Sequence, residues 1–300
     1  MNNVILKGNN DIAFESLMQK YLNYIDVSDN TIKTYNVGLL QFNEYLRRNN
    51  ITTPVREDII AFREYLKEEH KPNTINAYLI AVRNFYSWLE YEGFAKDITK
   101  KIKGIKLENI HLKRGLSEEE IRKVLNVCKD TRETLILKIM ISCGLRINEV
   151  ANIQLEDFYN DKGVVMLKIL GKARDGLKQD SVKIDDRLLE LIKQYCQEYN
   201  VKDYLFYSTS NHNKGGKMST KCLREIITNL FKKAELDMNM ITSHSLRHSA
   251  CELALESGMS IQEVSEFMRH KSINTTVRYS KEINQRNSII ASKIYDIALS

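Results

Sequence analysis

The sequence predicts a mainly α protein with one small β-sheet, built as a helical N-terminal domain followed by a larger α+β domain. Three observations predict it. Apolar residues recur every three or four positions along most of the chain, the spacing of helices with one buried stripe. One stretch breaks that period: Val164, Val165, Met166, Leu167, Ile169 and Leu170 form a β-branched-rich run, and Val182 and Ile184 can return it as a hairpin. Between the two helical regions, a basic and weakly periodic segment reads as a linker. The 300 residues, 43% apolar and 28% charged, suffice for two hydrophobic cores and lie outside the disordered class.

In order along the chain, residues 11–26 carry Phe14, Leu17, Met18, Tyr21, Leu22 and Ile25 at helical spacing. Thr31 can cap a second helix with Tyr35, Leu39, Phe42 and Leu46 inward, and Ile59, Phe62 and Leu66 suggest a third. Asn73 can cap a fourth, in which Ile75, Tyr78, Val82, Phe85, Tyr86 and Leu89 repeat until Gly93. Four such helices can bury their stripes as a small bundle over residues 10–95. The linker is placed at 96–114. The second domain, 115–283, opens with a capping box at Ser117 and Glu120. Helices are expected at about 118–128 and 131–142, just after Arg146, and at about 186–199, 219–234, 244–257, 260–268 and 284–298. Residues 284–300 form a tail.

Lys and Arg number 45 against 39 Asp and Glu, a net charge of +6 that many proteins carry without touching nucleic acid. Its placement says more: Lys96, Lys100, Lys101, Lys103, Lys106, Lys113 and Arg114 crowd one stretch opposed only by Asp97 and Glu108. Such a segment suits a phosphate backbone and equally suits a solvated linker. The five cysteines are scattered, odd in number and without a C-x-x-C pair, which fits reduced thiols and argues against structural zinc. The N-terminus has no secretory pattern, and no run approaches a membrane span. A cytoplasmic location is expected.

Several residues could do chemistry. His244 and Arg247 are three apart, so both lie on one face at a helix start, where free N–H groups add attraction for an anion. A surface Arg with a buried, hydrogen-bonded His is the plain alternative. His244 and His248 are four apart, but Ser245 stands where the zinc-protease pattern requires Glu. Arg146 precedes another helix, with Glu149 placed to orient its guanidinium; a structural Arg–Glu clamp reads equally well. Two arginines from distant segments suit a phosphodiester transition state, because their paired hydrogen bonds strengthen as negative charge builds. His270 follows a short helix and precedes Tyr279. A phenol needs roughly 4 kcal/mol to ionise at pH 7, which neighbouring Arg and His groups are expected to reduce. Lys172 lies in the turn 171–176 and could protonate a leaving oxygen, with Lys162, Lys168, Arg174 and Lys178 close by in sequence.

Gly-Leu-Arg146-Ile-Asn-Glu149, His244-Ser-Leu-Arg247-His248, and Arg269-His270 followed nine residues on by Tyr279 together resemble the tyrosine recombinase (phage integrase) family. The resemblance covers roughly residues 10–295 and is nearest to compact Xer-like and transposon-integrase members. It implies a SAM-like core-binding domain and a catalytic domain forming a C-shaped clamp on DNA. It implies that Arg146 and Arg247 hold the scissile phosphate, Tyr279 attacks, Lys172 is the general acid, His244 assists proton transfer, His270 bonds the phosphate and Glu149 supports Arg146. No metal and no cofactor is implied.

The implied activity is site-specific recombination through a 3′-phosphotyrosine and a Holliday junction. Its partners are double-stranded DNA with inverted core sites and a homo-tetramer, with accessory proteins left open. Integration and excision of a mobile element or dimer resolution would be the task, with the protein associated with the nucleoid. The last helix, with Ile290, Ile294 and Ile297 on one face, would dock on a neighbouring protomer. The chain departs from the family pattern where Ala173 follows the lysine and where Met268-Arg269 precedes the histidine in place of Leu-Gly. Alternatives are a type IB topoisomerase-like nicking-closing enzyme and a helical DNA-binding protein with a vestigial site.

Overall fold

In a computed structural model of the chain the described residues are 10–106, 113–173, 176–286 and 288, with the backbone alone for 10–13, 170–173 and 176–179. Two compact units emerge, Met1–Ile110 and His111–Ser300.

The first unit is a four-helix arrangement of α1 (Asn10–Tyr24), α2 (Asp29–Arg48), α3 (Arg56–Leu66) and α4 (Pro72–Tyr91). The apolar stripes meet in one core, where Leu39, Phe42, Phe62 and Val82 are fully buried. Phe14 packs edge-on to Phe85 at 5.4 Å, and Phe42 edge-on to Phe62 at 5.0 Å. Gly38 lets α2 approach α4, since a Cβ there would lie 3.0 Å from the Tyr78 Cα. Two expected caps move. Ser28, not Thr31, caps α2 and accepts the Thr31 N–H, because a hydroxyl three residues upstream reaches the N3 amide. Lys71 replaces Asn73 at the start of α4, because Pro72, with its fixed φ and missing N–H, takes the first helical position. Residues 96–106 of the basic segment lie on this unit: Ile102 is 6% exposed in its core, and Asn76 bonds both the N–H and the carbonyl of Ile105, at 2.7 and 2.9 Å.

The second unit begins as its capping box predicts. The Ser117 hydroxyl accepts the Glu120 N–H at 3.2 Å, and Glu120 accepts the Ser117 N–H at 2.9 Å. Its helices are α5 (Glu118–Asn126), α6 (Thr131–Ser142), α7 (Ile147–Asn152), α8 (Asp186–Glu198), α9 (Thr220–Lys233), α10 (Ser245–Glu256), α11 (Ile261–Phe267) and α12 (Asn274–Arg286). The sheet is antiparallel in the order β1 (Phe158–Asp161), β2 (Val164–Ala173), β3 (Gly176–Lys183). β1 is an addition to the expected hairpin; Lys162 and Gly163, both at positive φ, turn it into β2. The expected turn at 171–176 shortens, because pairing continues to Ala173 opposite Gly176.

α12 differs most from expectation. It begins ten residues before the anticipated 284–298 helix and contains Tyr279. That anticipated helix otherwise lies outside the described residues, as do Ile290, Ile294 and Ile297. Among the described residues, no helix is long and apolar enough to cross a membrane.

Candidate active site

Arg146 is delivered by the end of α6. Gly144, at φ 55, closes that helix in a Schellman turn, with the Leu145 N–H reaching the Met140 carbonyl at 3.1 Å. A side chain at Gly144 would be strained by its left-handed backbone and would displace the Met268 sulfur, 2.8 Å from where a Cβ would stand. Arg146 is then the N-cap of α7, and Glu149 reaches back to it. One carboxylate oxygen accepts the Arg146 backbone N–H at 2.8 Å, and the other accepts its Nη1 at 2.7 Å. Glu149 is 10% exposed and Arg146 42%, so the clamp is buried on the carboxylate side while the guanidinium opens to solvent.

Arg247 comes from the first turn of α10 and is 2% exposed. Its two terminal nitrogens donate to the carbonyls of Gly144 and Met268. It therefore ties the turn that delivers Arg146 to the segment that delivers His270. Two of its five N–H donors are so engaged, leaving donors for an anion. Burial pulls the guanidinium down to about 10, helped by the Arg146 charge, and it stays a cation at neutral pH. Leu246 and Ala250 anchor α10 through buried side chains, at 1% and 5% exposure.

The cap of α10 is His244 itself. The expected free N–H groups are largely engaged: the Ser245 N–H bonds the Thr242 carbonyl, and those of Arg247 and His248 bond the His244 carbonyl. Anion attraction here rests on side-chain cations more than on the helix start. His244 is exposed at its outer face, yet desolvation around the ring, followed by the Arg247 and Arg146 charges, lowers its pKa.

His270 hydrogen-bonds the buried Thr276 through Nδ1 at 2.8 Å, which leaves Nε2 for another partner. Burial and then Arg247, Arg146 and Arg269 lower its pKa to about 4, so it is neutral at pH 7. Tyr279, on α12, lies nearly parallel to His270 with ring centroids 6.4 Å apart, and edge-on to His248 at 5.2 Å. It packs against a small cluster of Ala250, Cys251, Val264 and Met268.

The expectation of a phenol eased by its cationic neighbours is corrected. Burial pushes Tyr279 up to about 12; Cys251 and Glu252 add to the rise, and Arg278 and Arg247 only partly oppose it. Forming the free phenolate at pH 7 then costs about 7 kcal/mol.

The decisive comparison covers this whole assembly. A family model described as "Phage integrase family" matches residues 114–286, and one for the "Phage integrase, N-terminal SAM-like domain" matches residues 18–93. The chain belongs to the phage integrase family, the tyrosine recombinases.

Among its relatives, a tyrosine recombinase XerA of Pyrococcus horikoshii is 25% identical over 98% of this chain and 99% of its own length. Tyrosine recombinase XerC of Staphylococcus haemolyticus is 28% identical over 91% of this chain and 94% of its own. The fold is similar to that of the XerH recombinase in a post-cleavage complex with a palindromic difH substrate, with a TM-score of 0.73, 23% identity, and coverage of 99% of this chain and 92% of that one. It is also similar to a lambda integrase in a tetramer bound to a Holliday junction, with a TM-score of 0.71, 15% identity, and coverage of 89% and 76%.

Within this integrase-family enzyme, Arg146, Glu149, His244, Arg247, His270 and Tyr279 gather in the second unit. Lys172 is placed only by its backbone, in β2 opposite Leu177, one residue before the last pair of the hairpin. Its side chain lies outside those described.

Sequence reasoning missed Arg269 as part of this site. It occupies the left-handed position that ends α11, φ 52, where glycine is favoured, at a cost on the order of 1 kcal/mol. Its side chain, 5% exposed, donates to the carbonyls of Phe267 at 2.8 Å and Gly144 at 2.9 Å, and lies 3.4 Å from Glu149. The one sequence signal was a non-glycine residue directly before the site histidine.

Proposed function

We propose that this chain cuts and rejoins DNA strands as a site-specific recombinase, using Tyr279 as nucleophile and Arg146 and Arg247 as the phosphate clamp. The observation that carries this reading is Arg247, whose buried guanidinium ties the Arg146 turn to the His270 segment beside Tyr279.

In the proposed step the Tyr279 oxygen attacks the scissile phosphorus and the bond to the 5′ oxygen breaks. The product is a 3′-phosphotyrosine and a free 5′-hydroxyl, whose proton is supplied by Lys172. Arg146 and Arg247 stabilise the charge that builds on the non-bridging oxygens. His270 donates from Nε2 to one of those oxygens, held in that tautomer by Thr276. Because the phenol is held near 12, its proton leaves as the bond to phosphorus forms, with neutral His244 assisting. A 5′-hydroxyl from the partner duplex reverses the step and releases Tyr279, which conserves the phosphodiester energy.

Four protomers on two duplexes with inverted core sites would carry out two such exchanges through a Holliday junction. The similarity to a lambda integrase tetramer on such a junction supports that assembly. The SAM-like domain at 10–95 would grip DNA with the catalytic domain at 115–283, joined by the basic segment 96–114, and the tail 284–300 would reach a neighbouring protomer. The task is integration and excision of a mobile element or dimer resolution, in the cytoplasm at the nucleoid, with accessory proteins joining where the site demands them.

The test is selection from nicked duplexes randomised over the core, followed by recovery of covalent adducts. The unmodified chain is expected to form an adduct and Tyr279→Phe to bind the recovered duplex without joining it. An adduct formed by Tyr279→Phe would remove Tyr279 from its role.

A further inference from the structure

Arg269 has no part in the chemistry proposed above, yet it is a cation buried directly beneath it. Its backbone adopts a conformation that side chains rarely take, and its side chain makes contacts that a glycine there could not. Those contacts converge. Nη2 lies 2.9 Å from the Gly144 carbonyl and 3.4 Å from Glu149 Oε2, Nη1 lies 2.8 Å from the Phe267 carbonyl, and both lie 3.3 Å from the Cys143 carbonyl. Cys143 and Gly144 form the turn that delivers Arg146; Phe267 belongs to the segment that delivers His270.

Glu149 is thereby shared between two arginines. One oxygen accepts Arg146 Nη1; the other accepts the Arg146 N–H and faces Arg269. A carboxylate paired with Arg146 alone would move with that half-exposed side chain and neutralise much of its charge. A second, immobile cation on the far side holds the carboxylate still and offsets its charge, leaving the Arg146 guanidinium oriented and positive toward solvent. Buried partners interact more strongly than exposed ones, and both Arg269 and Glu149 are at most 10% exposed.

We infer that Arg269 is a positioning residue for strand cleavage, which acts through Glu149 and the Gly144 carbonyl to hold Arg146 ready for the scissile phosphate. The inference rests on the recombinase reading of Arg146.

The experiment uses the full chain and the nicked duplex recovered by the selection above. Cleavage rate at saturating DNA, DNA affinity and melting temperature are measured for Arg269→Gly, Arg269→Lys, Glu149→Gln and the double variant Glu149→Gln with Arg269→Gly. Glycine suits the left-handed backbone, so the turn is kept while the cation is lost. Arg269→Gly is expected to slow cleavage by ~10-fold or more while affinity changes by less than ~2-fold. Arg269→Lys should recover part of the rate. In the Glu149→Gln background the same change should add less than ~2-fold, because the two residues act in one chain of contacts.

Unchanged cleavage by Arg269→Gly, equal losses of rate and affinity, or full additivity with Glu149→Gln would each overturn the inference. An unmodified chain that forms no adduct overturns the proposed function, and the inference with it.

Discussion

The rings of Tyr279 and His270 lie 11° from parallel with centroids 6.4 Å apart, and the His270 Nδ1 is fixed 2.8 Å from Thr276 Oγ1. This places a neutral imidazole beside the proposed nucleophile, because burial and three nearby arginines lower its pKa to about 4. The consequence for stability follows from the sign of that shift. The unfolded chain, with an ordinary His pKa near 6.5, binds more protons than the fold between pH 6.5 and 4. The contribution is therefore intact above pH 6.5 and is lost as the pH falls toward 4, by up to ~3 kcal/mol. Urea unfolding of the DNA-free protein should show Thr276-bonded His270 as one source of acid sensitivity. His270→Gln should lose less stability than the unmodified chain between pH 6.5 and 4. Parallel losses in the two proteins would show that His270 titrates normally.

Arg247 serves two purposes that substitution should separate. Its bonds to the Gly144 and Met268 carbonyls hold two segments together, and its remaining donors are the ones proposed for the phosphate. Arg247→Ala removes a 2%-exposed side chain, takes the donor from the Met268 carbonyl and leaves the Gly144 carbonyl to Arg269, a loss of roughly 2–4 kcal/mol. A lower melting temperature should accompany the loss of cleavage, which should still exceed the loss of DNA affinity because the phosphate bonds strengthen in the transition state. Arg247→Lys should retain more stability than Arg247→Ala while cleaving poorly, since a single ammonium cannot make the forked bonds. Calorimetry and cleavage at saturating DNA check both halves.

How much was legible depended on which physical signal each element carried. The bundle helices could be read because each has one apolar stripe, as Leu39, Phe42 and Leu46 show in α2. The capping box at Ser117 could be read because both partners are local in sequence. α12 could not: only Thr276 and Ile283 are buried along it, so no stripe announces the helix that carries Tyr279. β1 is short and mostly exposed, and periodicity has little to grip there. Arg146, Arg247, His270 and Tyr279 were legible as a set because their residue types match one chemistry at fixed separations. The direction of the Tyr279 shift was not, because it depends on burial against α10 and α11 outweighing the charge of Arg247. Arg269 looked like a lapse from a glycine pattern until its contacts with Glu149 and Gly144 were seen.

Arg114, the first residue matched by the family model, meets Glu120 in a two-bond fork at 2.6 Å on each oxygen. The Arg114 bond, with the Ser117 N–H, holds the Glu120 carboxyl down at about 2 against the cost of burial. A depressed carboxylate stabilises the fold above its unfolded pKa, near 4.5, and that contribution is lost as pH falls from there through 2. Arg114 is 39% exposed, so solvent screening reduces the contribution to roughly 1–2 kcal/mol. Glu120→Gln should be less stable than the unmodified chain at pH 7, with the gap closing below pH 4. A gap that stays constant with pH would show that the loss comes from the helix cap rather than the charge.

Arg286 sits two turns beyond Tyr279 on α12, with its guanidinium 3.0 Å from Glu252 and 3.7 Å from Glu256, both on α10. α12 has little apolar anchorage of its own, so this ion pair fixes the far end of the helix that carries Tyr279, the proposed nucleophile. Arg286 is 53% exposed and the pair adds less than ~1 kcal/mol to global stability. Its effect should instead be local. Arg286→Ala should leave the melting temperature within a few degrees of the unmodified value while hydrogen exchange quickens along α12, and cleavage should fall a few-fold as Tyr279 spends less time docked. Glu252→Gln should cost more stability, because Glu252 is 12% exposed and also accepts the Gly115 N–H at 3.2 Å. If exchange along α12 is the same in Arg286→Ala as in the unmodified chain, the helix is held by Ile283, Thr276 and the Tyr279 ring alone.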